Sequence, residues 1–172
     1  MTKWTLNAAS GRDRLIGHFL SSIENRSGLT VLDTRISIKG VFWPRSEKNK
    51  VDDLAPDYEV VLSQVQVDWR AVDQLIVQMD EWLDHPKEIS IDLCAKDRGD
   101  QSLVLSFGQT SKLISSIQRP ACSITYSGTV FARGEWLFVV DQSCIRNFRD
   151  ELRLSLNETS LAATNGFPLG RG

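Results

Sequence analysis

Cys144 is the side chain best placed for nucleophilic chemistry. It follows an apolar run ending at Val140 and opens a helical pattern, and the partial positive charge of a helix N-terminus lowers a thiol pKa. A loop of Cys, five residues and Arg would cradle a phosphate, but Asp150 stands where that Arg belongs and no glycine lets the backbone approach an anion. Cys144 therefore reads as a core cysteine. The two histidines, His18 and His85, stand singly, without the HxxxH, HxH or HExxH spacing of a metal site. Asp92, Asp97 and Asp100 have the composition of a calcium loop but neither its regular spacing nor its terminal bidentate Glu. GxGxxG, GxxxxGK[ST] and GxSxG are all missing. The expectation is a chain without catalytic residues, metal or cofactor, although a carboxylate pair assembled across the fold could still do acid–base work.

Carboxylates are the most unevenly placed groups. The 172 residues carry 20 Lys+Arg against 22 Asp+Glu, a net charge of −2. Residues 1–50 hold 9 basic and 4 acidic side chains, residues 51–100 hold 4 and 13, and the remainder hold 7 and 5. Such asymmetry bears on partners and encounter rather than on fold. With no overall basic excess, nucleic acid is a poor ligand, and a basic protein partner suits the acidic middle better.

These groups must be positioned by local elements. The period of Leu15, Ile16, Phe19, Leu20 and Ile23 predicts a helix over Ser10 to Arg26, capped by Ser10 and stopped by Gly28. From Leu29 the period becomes two, with Leu32, Thr34, Ile36 and Ile38 on the buried side of a strand reaching about Trp43. Pro44 to Asp57 reads as a long solvated loop, and Tyr58 to Val67 as a β-branched central strand. Asp68 to His85 is the clearest helix: Asp68 caps it, Pro86 follows it, and Trp69, Val72, Leu75, Ile76, Met79, Trp82 and Leu83 form its apolar stripe. Asp73, Asp80, Glu81 and Asp84 make an acidic ridge on its other face.

Glu88 to Ala95 and Gln101 to Phe107 form a hairpin, while Ser111 to Gln118 stays undecided between a helical turn and irregular chain. Pro120 to Ser127 and Thr129 to Arg133 follow as strands, Gly134-Glu135 turns the chain, and Trp136 to Val140 reads as a buried strand. A last helix spans about Gln142 to Leu154, and 157–172 reads as a flexible tail behind a single domain, 1–156. No internal repeat stands out. The layout predicts an α+β fold, with a mostly antiparallel sheet of six or seven strands packed by two or three helices. No run approaches the roughly 20 apolar residues of a membrane span. Met1 to Gly11 lacks the apolar core of a secretory signal, and Cys94, Cys122 and Cys144 are too few and too scattered for a disulfide framework or zinc site. A cytoplasmic chain with reduced thiols is expected.

From Val60 through Leu152 the order and spacing of apolar residues resembles bacterial immunity proteins of polymorphic-toxin and contact-dependent growth inhibition systems. The features that carry it are a strand leading into the helix with Trp69, Leu75, Trp82-Leu83 and Pro86, the hairpin of Ile89 to Leu93 with Leu103 to Phe107, and Trp136 to Val140 leading into Ile145 to Leu152. The resemblance covers about half the chain and carries no active-site motif over. It implies a protein that binds a cognate toxin C-terminal domain, many of which are basic nucleases, and blocks it. Asp73, Asp80, Glu81 and Asp84, with Asp52, Asp53 and Asp57, would then form part of the toxin-binding surface, and Trp43 an aromatic anchor. By their residue types alone the ridge reads equally as a face that keeps the helix soluble, and Trp43 as a core residue. The competing expectation is a small-molecule-binding or enzymatic domain, which a pocket lined by perturbed carboxylates or by Cys144 would favour.

Overall fold

The structure, a computed structural model, describes residues 2–24, 30–41, 56–96, 101–109, 118–128 and 133–165. The chain runs through β1 (Thr2–Asn7), β2 (Asp13–Glu24), β3 (Thr30–Gly40), β4 (Tyr58–Asp68), α1 (Trp69–Asp84), β5 (Ile89–Asp92), β6 (Ser102–Gln109), β7 (Pro120–Ser127), β8 (Arg133–Val139) and α2 (Gln142–Asn165). It is an α+β fold of two four-stranded antiparallel sheets, β1-β2-β3-β4 and β5-β6-β7-β8. Two four-stranded sheets thus stand in place of the expected single sheet of six or seven strands, while the two helices fall within the expected two or three.

Asp13–Glu24 is a strand where a helix was expected, and it contains a bulge. Leu15, Gly17 and Phe19 face the core as odd-numbered positions, but the register shifts between Phe19 and Ser21, so that Ser22 comes opposite buried Leu32. One inserted residue reverses the parity of a strand. Leu15 and Phe19 are buried, whereas Leu20 and Ile23, which complete the apparent helical stripe, are each 49% exposed, so the stripe is not one buried face. Pairing also favours the strand: Gly17 costs a helix about 1 kcal/mol relative to Ala, and here it lies beneath the Trp4 indole of unanticipated β1.

β3 matches its pattern, with Leu32, Thr34, Ile36 and Ile38 all fully buried. β4 ends its sheet instead of lying centrally, leaving Val60 and Val61 partly exposed. A second bulge sets Ser63 and Gln64 against Arg35, and Gln64 adopts φ 59°. Gly134 and Glu135 lie within β8 rather than in a turn, because the Trp136 indole lies over Gly134. β8 is also less buried than expected, with Leu137 exposed and Phe138 facing the core.

The two sheets touch at both ends. Asp68 N–H donates to Leu93 O at 2.8 Å and Ala95 N–H to Gln66 O at 2.9 Å, around a bridge between Val67 and Cys94. The Gln101 side chain extends this seam, accepting from Gln66 N–H at 3.0 Å and donating to Tyr126 Oη at 3.2 Å. At the other end Ala9 N–H donates to Val139 O at 2.7 Å. One hydrophobic cluster includes residues of both sheets and both helices, from Trp4 and Leu6 to Leu152 and Leu156.

The order of four strands and a helix occurs twice, a repeat the sequence does not announce. Each helix is capped by an Asp at or within two residues of the end of the preceding strand: Asp68 Oδ1 accepts from Arg70 N–H at 2.9 Å, and Asp141 Oδ1 from Cys144 N–H at 2.8 Å. Buried Val72, Leu75, Met79 and Trp82 stand at the same offsets from Asp68 as Ile145, Phe148, Leu152 and Ser155 from Asp141. Topology and burial repeat; side-chain identity does not. α2 also runs past its expected end to Asn165, through part of the segment read as a tail. Its Glu151 accepts from Thr5 N–H at 2.6 Å and its Ser155 donates to Lys3 O at 3.1 Å, so helix side chains satisfy the open edge of β1.

Candidate protein-binding surface

α1 is held by its apolar stripe. Val72, Leu75, Ile76, Met79 and Trp82 are buried, which fixes the direction of the opposite face. Asp73, Glu81 and Asp84 are exposed and Asp80 is half-buried. The four do not form one free acidic ridge. Asp80 lies between two arginines of α2, with Arg149 Nη1 at 2.9 Å from Oδ1 and Arg153 Nη2 at 2.8 Å from Oδ2. Glu81 is ion-paired to Lys87 beyond the helix end. Asp73 and Asp84 make no ion pair among the described residues. Val77, on the same side of the helix, is 50% exposed. The solvent face of α1 is therefore an exposed valine flanked by two unpaired carboxylates, beside a neutralised Asp–Arg clamp.

The other acidic candidates are more dispersed. Asp57 precedes β4, and its N–H donates to Gly40 O at 2.8 Å. Asp52, Asp53 and Trp43 lie outside the described residues, as does most of the Pro44 to Asp57 loop. Three of the 13 acidic residues of 51–100 serve the fold directly: Asp68 caps α1, Asp80 ties α1 to α2, and Asp92 fastens the β5–β6 hairpin. Asp92 accepts from Cys94 N–H at 3.0 Å, Leu103 N–H at 3.1 Å and Ser102 Oγ at 2.7 Å, and pairs with Lys96. Burial acts to raise its pKa, but Lys96 and the three hydrogen bonds outweigh it and hold the carboxyl below the usual range. Nothing in the sequence near Asp80 reveals its partners. Arg149 and Arg153 are one helical turn apart on α2, but only the tertiary fold brings them to α1.

Cys94 and Cys122 are buried and Cys144 is partly buried. Burial pushes the Cys94 thiol up to about 12, raises Cys122 further and also raises Cys144, so the capping position does not activate that thiol. His85 is the exposed C-cap of α1, its N–H donating to Glu81 O at 2.8 Å. No group of three or more His, Cys, Asp or Glu suited to a metal ion occurs among the described residues. No helix there is long and apolar enough to cross a membrane.

A shallow cleft of about 400 Å³ lies on the second sheet, lined among others by Ser90, Ser106, Ser123, Gly108 and Leu137. Ser90, Ser106, Ser123 and Leu137 are successive cross-strand partners on β5 to β8. Among the described residues Glu88 is the cleft's one titratable side chain, and Cys144 does not line it. Compared with protein-family models, curated proteins and solved structures, the chain matches none.

Proposed function

We propose that the chain is an immunity-type inhibitor that binds a cognate bacterial toxin domain in the cytoplasm and blocks its active or substrate-binding face. The observation that carries this reading is the solvent face of α1, where exposed Val77 stands between Asp73 and Asp84 with neither carboxylate ion-paired among the described residues. An apolar contact flanked by unpaired negative charge on a rigid helix suits a basic partner such as a nuclease domain. The charges speed and orient the encounter, and the valine contributes buried area. Asp80 and Glu81 take part as members of ion pairs, so they shape the surface more than they charge it.

The test is protection. Cells expressing the toxin domain encoded beside this chain's gene should survive when the chain is co-expressed, and Asp73→Lys with Asp84→Lys should abolish that protection and weaken binding at low salt by tenfold or more. Failure of the wild type to protect overturns the reading. Full protection by the double variant, with unchanged affinity at low salt, removes the α1 face from the interface.

A further inference from the structure

The outer face of the first sheet carries a row of basic residues. Lys3 on β1 is the cross-strand partner of His18 on β2, and His18 is the partner of Arg35 on β3. The two permanent cations, Lys3 and Arg35, are thus two strands apart with the imidazole between them. Both are exposed, and neither side chain has an ion-pair partner among the described residues. Between them His18 Nδ1 is buried with no hydrogen-bond partner. Burial first, and then the charges of Lys3 and Arg35, hold the His18 imidazole below its usual pKa. Nearby Asp33 forms no ion pair with Lys3 or Arg35 among the described residues; its Oδ1 accepts from Gln66 Nε2 at 3.4 Å.

Both bulges of this sheet flank the row. Leu20 is the inserted residue two positions beyond His18, and Ser63 and Gln64 oppose Arg35. Gln64 holds φ 59°, uncommon for any residue but glycine. Bulges re-aim neighbouring side chains and recur beside functional sites.

Adjacent strands lie about 4.8 Å apart, so the backbones at Lys3 and Arg35 stand roughly 10 Å apart with the imidazole between them. Flexible Lys and Arg side chains converge readily over that span. Two fixed cations match a dianion, whereas a single carboxylate would leave one unpaired. With Nδ1 buried, the other ring nitrogen, Nε2, is the one that can donate to a tetrahedral oxyanion while it meets a guanidinium and an ammonium.

We propose that Lys3, His18 and Arg35 form a binding site for a phosphate-class dianion, either free phosphate or the terminal phosphoryl group of a larger molecule. The site is on a different face from α1, so its failure and that of the toxin-binding reading are separable.

The test follows the His18 ring protons by NMR as inorganic phosphate is added to the full chain, against chloride at matched ionic strength. The expected result is a saturable shift with phosphate only, weakened tenfold or more in Lys3→Gln and in Arg35→Gln and partly retained in Arg35→Lys, with thermal melts unchanged. An equal response to chloride, or variants that titrate like the wild type, overturns the proposal. Sedimentation with phosphatidic-acid vesicles, compared with phosphatidylcholine vesicles, separates the sources. Binding of the wild type and not of Arg35→Gln assigns a lipid phosphoryl group; saturable free phosphate without vesicle binding assigns the small ion.

Discussion

Tyr58 and Asp13 meet across a glycine. The β4 phenol donates to Asp13 Oδ1 on β2 at 2.6 Å, passing over Gly40 of the intervening strand. A Cβ at Gly40 would lie 2.3 Å from that carboxylate oxygen and 2.7 Å from the tyrosine ring, so the contact exists because the position between them has no side chain. Burial, followed by the hydrogen bond and charge of Asp13, raises the Tyr58 pKa above the ordinary phenol value.

Removing the hydroxyl should therefore change stability in a pH-dependent way. The folded pKa is raised, so the neutral phenol stabilises the fold fully below the unfolded value of about 10, and the contribution is lost as pH rises through the higher folded value. Tyr58→Phe should cost about 1–2 kcal/mol near neutral pH, and its deficit should shrink in strongly alkaline solution. Urea melts at neutral and alkaline pH check the sign. Ultraviolet titration of the wild type should show a phenolate that ionises late and that Tyr58→Phe removes.

A second glycine is fixed by an aromatic ring. Trp4 is 1% exposed and packs on Phe19 and Phe148 at centroid distances of 5.8 and 5.7 Å. A Cβ on Gly17 would come within 2.0 Å of its indole. Gly17→Ala should destabilise by about 2–3 kcal/mol through overpacking. In a Trp4→Leu background the same change should cost less than 1 kcal/mol, because the opposing ring has gone. A double-mutant cycle on chemical denaturation measures the difference, and equal costs in both backgrounds would contradict the contact.

These contacts show where sequence pattern was enough and where it was not. α1 was legible from Asp68, an apolar stripe and Pro86, and β3 from unbroken alternation, because one face of each packs against a single core. β2 was not, since its bulge at Leu20 breaks the alternation on which strand recognition depends. The cost was functional as well as structural. With 10–26 read as a helix, Lys3, His18 and Arg35 could not be seen as neighbours. The acidic middle third was visible as composition, but whether a carboxylate caps a helix, fastens a hairpin or faces solvent depends on residues far away in sequence. Asp80 is the clearest case, since its partners Arg149 and Arg153 come from the other helix.

The four carboxylates of α1 should separate by stability as well as by binding. Asp80→Ala removes the partner of Arg149, which is only 19% exposed, and should cost about 1 kcal/mol, less at high salt. Asp73→Lys and Asp84→Lys should each stay within about 0.5 kcal/mol of wild type, as exposed positions without ion pairs. Thermal melts at low and high salt test this. Loss of stability in Asp73→Lys would show that this carboxylate belongs to the fold and not to a free surface.

Asp92 should dominate the acid limb of stability in the second half of the chain. Its folded pKa is depressed, so its contribution is complete above the unfolded value of about 4 and disappears as pH falls through the lower folded value. Asp92→Ala leaves the N–H groups of Cys94 and Leu103 without their acceptor and should cost about 2 kcal/mol at neutral pH, allowing for competition from water at this partly exposed site. At the acid end the gap between variant and wild type should close, because the protonated wild-type carboxyl no longer holds Lys96 and binds the two N–H groups more weakly. Hydrogen exchange at Cys94 and Leu103 should accelerate in the variant at neutral pH while the Asp68 to Leu93 seam stays protected. Uniform acceleration across both sheets would instead mean that Asp92 holds the whole fold and not this hairpin alone.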